Sequence, residues 1–337
     1  MGLNWLLVIV WTFFCPGAGQ AVAGRRIAAF AWAVAGLVAV LALPLTLWAW
    51  HVVLAIRLGA VADAVVRVRR ARVNQIKWSL PAGVATGALV IGIVYLRLFV
   101  HMFKIPASSM YPTVEIGDHI LAERLTLQWR PLERGEIIVF QQPCQPDRDY
   151  IKRVIAVAND TIEIRCNVVY VNGAAIPNEL VEGDTCEYRD RDDMRDEWFP
   201  RTCSRYRETL DGRSYEVFHD PDRPRRDEEL RRTGRLAQGD SRDFPEPGAP
   251  LRSCATVPPM EGEAAPAQQP GRQVETKNAA GPCEPQLHFV VPPDSLFVLG
   301  DNRNNSNDSR YWGVVPVSYV RGRVVGRWYP FSRIGGI

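Results

Sequence analysis

Two long apolar segments in the first hundred residues constrain this chain more than any other feature. Ser79–Val100 carries a single charged residue, Arg97, and is long enough to span a bilayer as one helix. Ile27–Ile56 is too long for one comfortable span and is interrupted by Pro44. Because arginines flank both of its ends, the excess of positive charge on the cytoplasmic side predicts a hairpin of two short membrane helices over residues 27–58.

The neighbouring segments complete the expected membrane part. Residues 1–26 contain an apolar stretch, Leu3–Phe14, that is too short to span and is typical of a re-entrant or interfacial segment. A cleaved signal peptide is the competing interpretation. Residues 59–78 alternate Val and Ala with Arg, which favours either a basic amphipathic helix on the cytoplasmic membrane surface or a solvated linker. Both readings place 59–78 in the cytoplasm, so residues 79–100 lead the rest of the chain to the periplasmic, extracytoplasmic side of the inner membrane.

Cysteine usage agrees with this topology. Six of the seven cysteines follow the last apolar segment, in what is then an oxidising compartment where disulfide bonds persist. We expect these six to form disulfide bonds and Cys15 to remain unpaired, although the sequence does not choose among the possible pairings. None of them has Cys-x-x-Cys spacing, so no metal site is expected. The six are Cys144, Cys166, Cys186, Cys203, Cys254 and Cys283.

From His119 onward, short runs alternate apolar and polar residues, which is the pattern of β-strands with one buried face. A hairpin turn is predicted at Val171-Asn172-Gly173. Short alternating strands between polar turns favour a mainly antiparallel β domain over βαβ units. The expected fold is therefore N-terminal transmembrane α-helices followed by a mainly antiparallel β domain in two parts, 101–181 and 286–337. The predicted strands are His119–Arg124, Gly135–Gln141, Tyr150–Ala158, Thr161–Val171, His288–Val291, Ser295–Leu299 and Val320–Trp328.

Residues 182–285, between those two parts, are rich in Arg, Asp, Glu and Pro. Arg205–Leu210 and Ser214–Phe218 are predicted to pair as a hairpin across Asp211-Gly212. Ala255–Pro282 is rich in Pro, Ala, Gln and Gly and is predicted to be a disordered loop. We interpret 182–285 as an inserted, partly disordered cap domain, and its charge runs as solvated surface.

Residues 106–118 read Pro-Ala-Ser-Ser-Met-Tyr-Pro-Thr-Val-Glu-Ile-Gly-Asp and follow closely on the last apolar segment. Two adjacent serines, Ser108 and Ser109, stand between prolines that fix φ and discourage helix in the residues before them. A serine on such a constrained turn is a candidate nucleophile. For this segment on its own, an ordinary Ser-rich turn is the alternative.

The run Asp149-Tyr150-Ile151-Lys152-Arg153-Val154-Ile155 places a lysine inside an apolar strand. Serine becomes a good nucleophile when a base takes its proton, and lysine can be that base only when it is neutral. Burial among apolar neighbours favours the neutral form of Lys152. Only four of the 40 Lys and Arg residues are lysines, so lysine is kept where the always-charged arginine could not be a base. An edge-strand lysine that serves solubility is the alternative.

A fourth segment, Gly300–Gly313, reads Gly-Asp-Asn-Arg-Asn-Asn-Ser-Asn-Asp-Ser-Arg-Tyr-Trp-Gly. Together with Arg134–Phe140 and the two segments above, it resembles, in order, the sequence boxes of type I signal peptidases. These are the membrane-bound Ser/Lys endopeptidases that remove secretory signal peptides. The resemblance covers roughly residues 105–180 and 286–325 and is specific, since four separated motifs agree in order. A polar turn without a catalytic part is the alternative for Gly300–Arg310 alone.

The resemblance implies a role for individual residues. The family pattern Pro-x-x-Ser-Met-x-Pro-Thr puts the nucleophile at Ser109, with Lys152 as its general base. Ser306 matches a serine that hydrogen-bonds the lysine and orients it. Asp308 and Arg310 match a pair that braces the loop beside the site.

The same resemblance has implications for the fold and for the groups that stabilise the oxyanion formed when Ser109 attacks the substrate. It implies a barrel-like β core with an inserted second β domain. The backbone N–H of Ser109 would hold the oxyanion. Many relatives supply a Ser or Thr hydroxyl as second donor where this chain has Ala107, which leaves Ser108 or another backbone N–H to take that part.

The implied function is that of a membrane-anchored serine endopeptidase that cleaves exported preproteins after small-x-small sites such as Ala-x-Ala. The implied partners are secretory preproteins emerging from the translocon and membrane lipids, with no nucleic acid, metal or cofactor. A maturation peptidase dedicated to one substrate, and an inactive membrane-anchored substrate-binding or scaffold protein, are the alternatives. A Ser-His-Asp triad is the rival chemistry, and His119 is the histidine nearest to a motif.

Overall fold

The fold is taken from a computed structural model, in which the described residues are 5–41, 49–70, 92, 99–183, 185–192, 195–234, 242–246, 248–251, 253–254, 268–269, 271–277, 280–281 and 283–337. The predicted spanning segment 79–100 lies outside them except at residues 92, 99 and 100, and so does Pro44. Among the helices that are described, none combines the length and the apolar character needed to cross a membrane.

Four helices are described in the N-terminal part, within residues 5–41 and 49–70: α1 (Trp5–Phe14), α2 (Ala18–Val22), α3 (Arg26–Leu41) and α4 (Ala49–Arg70). Helix α4 packs against the other three, and its Asp63 accepts hydrogen bonds from Gln20 Nε2 at 3.0 Å and Trp32 Nε1 at 2.9 Å. Helix α4 also runs through residue 58, where the sequence had suggested the end of a membrane hairpin. No proline interrupts it, and its one glycine, Gly59, lies against the Trp32 ring.

Seventeen short strands are the main regular structure of the remaining described chain. They are β1 (Val100–Lys104), β2 (His119–Glu123), β3 (Ile137–Gln142), β4 (Gln145–Ala156), β5 (Thr161–Arg165), β6 (Val168–Val171), β7 (Ala174–Ala175), β8 (Asn178–Glu182), β9 (Glu187–Asp192), β10 (Glu197–Thr202), β11 (Ser204–Leu210), β12 (Arg213–His219), β13 (Arg272–Glu275), β14 (Leu287–Val290), β15 (Ser295–Leu299), β16 (Val315–Pro316) and β17 (Val320–Tyr329). Two further helices are α5 (Arg223–Thr233) and α6 (Ser309–Trp312).

The strands pair antiparallel, which confirms the predicted mainly antiparallel β domain. The largest sheet has seven strands in the order β1-β2-β17-β3-β4-β15-β16, and a five-stranded sheet has the order β13-β14-β5-β6-β7. The middle strands of the large sheet contribute side chains to one buried apolar cluster, which contains Ile138, Phe140, Val154 and Val298. Strands β3, β4 and β15 are therefore held together by a shared apolar cluster.

One predicted strand was wrong. Thr161–Val171 is not a single strand but the hairpin β5–β6, which turns at Cys166 and Asn167. Both turn residues have positive φ, 48° and 68°, a conformation that asparagine tolerates better than most residues. The following turn, at Asn172-Gly173, has the two positive φ values of a tight hairpin, as predicted.

Between β7 and β13, strands β12-β11-β8 form a three-stranded sheet and β9–β10 a separate hairpin. The predicted hairpin across Asp211-Gly212 is confirmed as β11–β12. The loop predicted to be disordered, Ala255–Pro282, lies mostly outside the described residues, but Arg272–Glu275 within it is strand β13 and pairs with β14. Its backbone can therefore complete the edge of the five-stranded sheet, which composition alone did not indicate.

All six cysteines beyond the apolar segments are paired, as Cys144–Cys254, Cys166–Cys283 and Cys186–Cys203, and Cys15 is free and buried. This confirms the expected disulfide bonds. The first two bridges join residues 110 and 117 positions apart and tie the chain on either side of β13 to the first part of the β domain. Cross-links over such long loops restrict the unfolded chain strongly and so stabilise the fold.

Candidate active site

Ser109 lies on a single 3₁₀ turn, Ser108–Met110, between the two prolines of its motif. Met110 is fully buried and anchors the turn in the apolar core below β2. Asn302 holds the turn from above, because its backbone N–H donates to the Ser109 carbonyl at 3.1 Å and its Nδ2 to the Ser108 carbonyl at 3.1 Å. The half-buried Ser109 side chain is therefore presented on a fixed backbone.

Lys152 extends from β4 toward that turn. It lies opposite Ile138 of β3 and is only 3% exposed. Its Nζ is 2.7 Å from Ser109 Oγ and 2.8 Å from the Ile151 carbonyl. Burial lowers the pKa of Lys152 to about 8, although the carboxylates of Asp308 and Asp301 act in the opposite direction. A neutral amine at this distance can take the proton of the serine hydroxyl.

The loop after β15 is braced by the buried ion pair of Asp308 and Arg310. Asp308 accepts from the Gly300 N–H at 3.0 Å, and Arg310 also donates to the Arg303 carbonyl at 3.0 Å. Burial on its own raises the pKa of Asp308, but the Arg310 guanidinium beside it brings that pKa below its usual value. The pair thus fixes the conformation of the loop beside Ser109 and Lys152.

Ser306 lines the same cleft as Ser109 and Lys152. No hydrogen bond joins its buried Oγ to Lys152 in this conformation, so the contact that the sequence resemblance implies is not made; the hydroxyl acts instead on Asp308, whose pKa it helps to lower. A β-carbon on Gly300 would overlap both Ser306 Oγ and the Ser109 carbonyl. Only glycine therefore lets the two segments approach this closely.

A second buried ion pair, between Arg153 and Asp301, joins β4 to the same loop at 2.8 and 2.6 Å. Thr113 of the serine motif donates to Asp301, and the Arg153 guanidinium stacks on Tyr215 of β12 at 3.9 Å. These residues were missed at the level of sequence. The sequence feature that could have identified them is their location within the motifs, since Arg153 follows Lys152 and Asp301 follows the first glycine of Gly300–Gly313.

The segment between β7 and β13 also contacts the loop. Glu208 of β11 and Arg303 form two buried hydrogen bonds of 2.8 and 2.6 Å, and the Phe218 N–H donates to the Asp301 carbonyl at 2.9 Å. This contact could not be predicted from the sequence, because nothing distinguishes Glu208 from the many other charged residues of 182–285.

Ser108, Ser109, Lys152 and Ser306 open onto one cleft of about 790 Å³. His119 is engaged elsewhere, with its ring packed edge-on against Trp328 and Tyr329 at 5.3 and 5.2 Å. The structure therefore brings Ser109 to a lysine rather than to the histidine of the rival triad. Among the described residues, no group of three or more His, Cys, Asp or Glu side chains is arranged to hold a metal ion.

Comparison with known proteins identifies the family to which the chain belongs. The model of the family described as signal peptidase, peptidase S26, matches residues 76–329. The signal peptidase I of Aquifex aeolicus is 29% identical over 242 residues, which cover 72% of this chain and 80% of that protein. The signal peptidase I of Pseudomonas aeruginosa is 24% identical over 289 residues, covering 74% and 75% of the two chains.

The crystal structure of a signal peptidase I from Enterococcus faecalis aligns with 58% of this chain and 97% of its own, at 21% identity and a TM-score of 0.26, a level of overlap that supports no inference. The family match is decisive by itself, because it spans well over half of the chain. The protein belongs to the signal peptidase family, peptidase S26, and is a serine peptidase.

Proposed function

We propose that this protein is a membrane-anchored endopeptidase that removes signal peptides from exported preproteins, with Ser109 as nucleophile and Lys152 as general base. The observation that carries the proposal is the 2.7 Å separation of Lys152 Nζ and Ser109 Oγ in a buried setting. Membership of the signal peptidase family supports the substrate class, and cleavage after small-x-small sites follows from the sequence resemblance.

The reaction follows from the positions of these atoms. Neutral Lys152 accepts the Ser109 proton as Oγ attacks the scissile carbonyl, and the resulting oxyanion is held by the Ser109 N–H. Collapse of this intermediate breaks the peptide bond, and the lysine ammonium gives its proton to the departing amine. Water, deprotonated by Lys152, then hydrolyses the acyl-enzyme and regenerates Ser109.

Supporting roles are assigned to the surrounding loop. Asp308 and Arg310 hold the backbone on which Ser306 stands, and rotation of the Ser306 hydroxyl from Asp308 toward Nζ would orient the lysine once substrate is bound. We assign to Ser108 the part of second oxyanion donor. Residues 182–285 form a cap domain whose Glu208 secures the loop through Arg303.

The pH dependence of kcat/KM tests this function. Because only the neutral amine can take the proton, activity should rise with pH through about 8, the pKa of Lys152, and fall about tenfold per pH unit well below it. The measurement is cleavage of a peptide carrying an Ala-x-Ala site between about pH 6 and pH 10. A profile that is flat across this range, or that declines as pH rises through 8, would contradict Lys152 as the base.

Membrane anchoring is supported by the surface of the N-terminal helices. Large apolar side chains point outward, with Ile27 88% and Phe30 72% exposed, whereas the polar Thr12 and Gln20 are fully buried. Apolar residues outside and hydrogen-bonded polar residues inside are expected of helices surrounded by lipid. Together with the apolar segment 79–100, this supports a multi-pass anchor in the inner membrane, with the β domain on the periplasmic side, where it would meet preproteins leaving the translocon.

This topology predicts a protection pattern. Protease added to intact spheroplasts should digest residues 101–337, while an epitope placed within residues 59–70 stays protected until the membrane is opened. The expected side follows from the arginines at the end of α4, Arg67, Arg69 and Arg70, because positive charge is retained in the cytoplasm. Digestion of the epitope with survival of the β domain would invert the topology.

A further inference from the structure

The hairpin β9–β10 forms one wall of the cleft that contains Ser109. The Cys186–Cys203 disulfide closes its base. The Tyr188 ring packs against Tyr111, two residues after Ser109, at 5.3 Å, and against Phe218 of β12 at 5.3 Å. The hairpin is therefore fixed relative to the serine turn, and a side chain that it projects inward has a defined position.

Asp190 is such a side chain. It lies on β9, is 5% exposed, and has both carboxylate oxygens engaged. One oxygen accepts the Arg191 N–H at 2.9 Å. The other is 2.7 Å from Arg201 Nε and accepts Asn305 Nδ2 at 2.8 Å. A buried carboxylate held at this many points sets the orientation of the amide that donates to it.

Asn305 carries the contact across to the serine turn. Its Nδ2 has two hydrogens, of which one goes to Asp190 and the other to Ser108 Oγ at 2.9 Å. Ser108 is 3% exposed and lines the cleft. Because its oxygen already accepts from Asn305, the hydrogen of its own hydroxyl is directed away from Asn305 and remains available as a donor. Accepting one hydrogen bond also strengthens a hydroxyl as a donor in the next.

We propose that Asp190 and Asn305 are positioning residues that hold the Ser108 hydroxyl as the second donor to the oxyanion. The inference rests on the proposed function, in which a tetrahedral oxyanion forms at Ser109. It assigns a part in that reaction to a hairpin of the 182–285 segment. Position 107 is alanine and has no hydroxyl to offer, whereas Ser108 has one that is buried, adjacent to the nucleophile and already oriented.

The test is the steady-state kinetics of Ser108→Ala, Asn305→Ala and the double variant on one Ala-x-Ala peptide. Removal of a single oxyanion donor lowers kcat on the order of 10²–10³-fold, so Ser108→Ala should lose about that much with KM nearly unchanged. Asn305→Ala should lower kcat in the same way but by less. The double variant should be no worse than Ser108→Ala, because Asn305 acts only through that hydroxyl.

Two further variants provide the controls. Asp190→Asn should lower kcat, whereas Asp196→Asn, the same chemical change at the tip of the same hairpin, should not. Asp196 is 74% exposed at its side chain and pairs with Arg191 rather than Asn305. Ser108→Thr keeps a hydroxyl and should retain most of the activity. Folding of each variant is checked by its Tm, and Ser108→Gly replaces Ser108→Ala if the latter is unstable.

The inference is overturned if Ser108→Ala and Ser108→Gly keep kcat within about threefold of wild type. It is also overturned if the losses of the two single variants multiply in the double variant, or if they appear in KM alone. Failure of the underlying function looks different, since it would leave Ser109→Ala as active as wild type. Full activity of Ser108→Ala beside an inactive Ser109→Ala would therefore reject Ser108 as a donor positioned by Asp190 and Asn305, and would leave the proposed function standing.

Discussion

Replacement of Lys152 by arginine is expected to leave a folded protein with almost no peptidase activity. Arginine keeps the positive charge and can reach Ser109, but its guanidinium does not lose a proton at any pH that a protein tolerates. General-base catalysis contributes on the order of 10²–10⁴ in rate, and the loss is larger when base and nucleophile act as a unit. No rise in pH should restore the activity of this variant.

Two companion variants separate the loss of the base from other causes. Lys152→Met is uncharged and of similar length, so it should be equally inactive without placing a guanidinium in a site that is 3% exposed. Lys104→Arg, at the exposed end of β1, should be close to neutral. The comparison is kcat/KM on one preprotein, with folding followed by circular dichroism. Wild-type activity in Lys152→Arg would mean that lysine is not the base.

The parts of the site that lie within one motif were accessible from the sequence. Ser109 and Lys152 were selected separately, one for its proline-bounded turn and one for its apolar strand, and the structure places their side chains together. Their catalytic roles stay predictions. The antiparallel β-strands could also be predicted, because alternation of apolar and polar residues is a local signal.

The contacts between distant segments could not be predicted in this way. Asn305 meets Asp190, and Arg303 meets Glu208, across about a hundred residues of chain. Each partner is one of many similar side chains in a segment rich in Arg, Asp and Glu, so no local pattern singles it out. The pairing of the six cysteines was open for the same reason, since spacing does not determine which two approach.

One error was of a different kind. The apolar alternation through Thr161–Val171 hid a two-residue turn at Cys166-Asn167, where the chain reverses. Asparagine was the available signal, because it accepts positive φ at low cost. A tight turn inside an apolar run is easily overlooked when the residues on either side continue the same period.

The second large effect is expected at Ser109. Ser109→Ala removes the atom that forms the acyl-enzyme, so the two-step route is closed and the loss should be on the order of 10⁴ or more. The change deletes one half-buried hydroxyl and leaves the backbone contacts with Asn302 in place, so the fold should be unaffected. The adjacent Ser108→Ala should lose less, because it weakens the oxyanion site but keeps the nucleophile.

The central claim is that this chain cleaves signal peptides through Ser109. Its most direct test is to incubate one purified preprotein with wild-type enzyme and with Ser109→Ala in matched membranes, and to follow the mature product and its new N-terminus. The account predicts mature protein that begins directly after a small-x-small site with wild type and none with the variant. Equal processing by both proteins, or no processing by a folded wild-type enzyme, would contradict it.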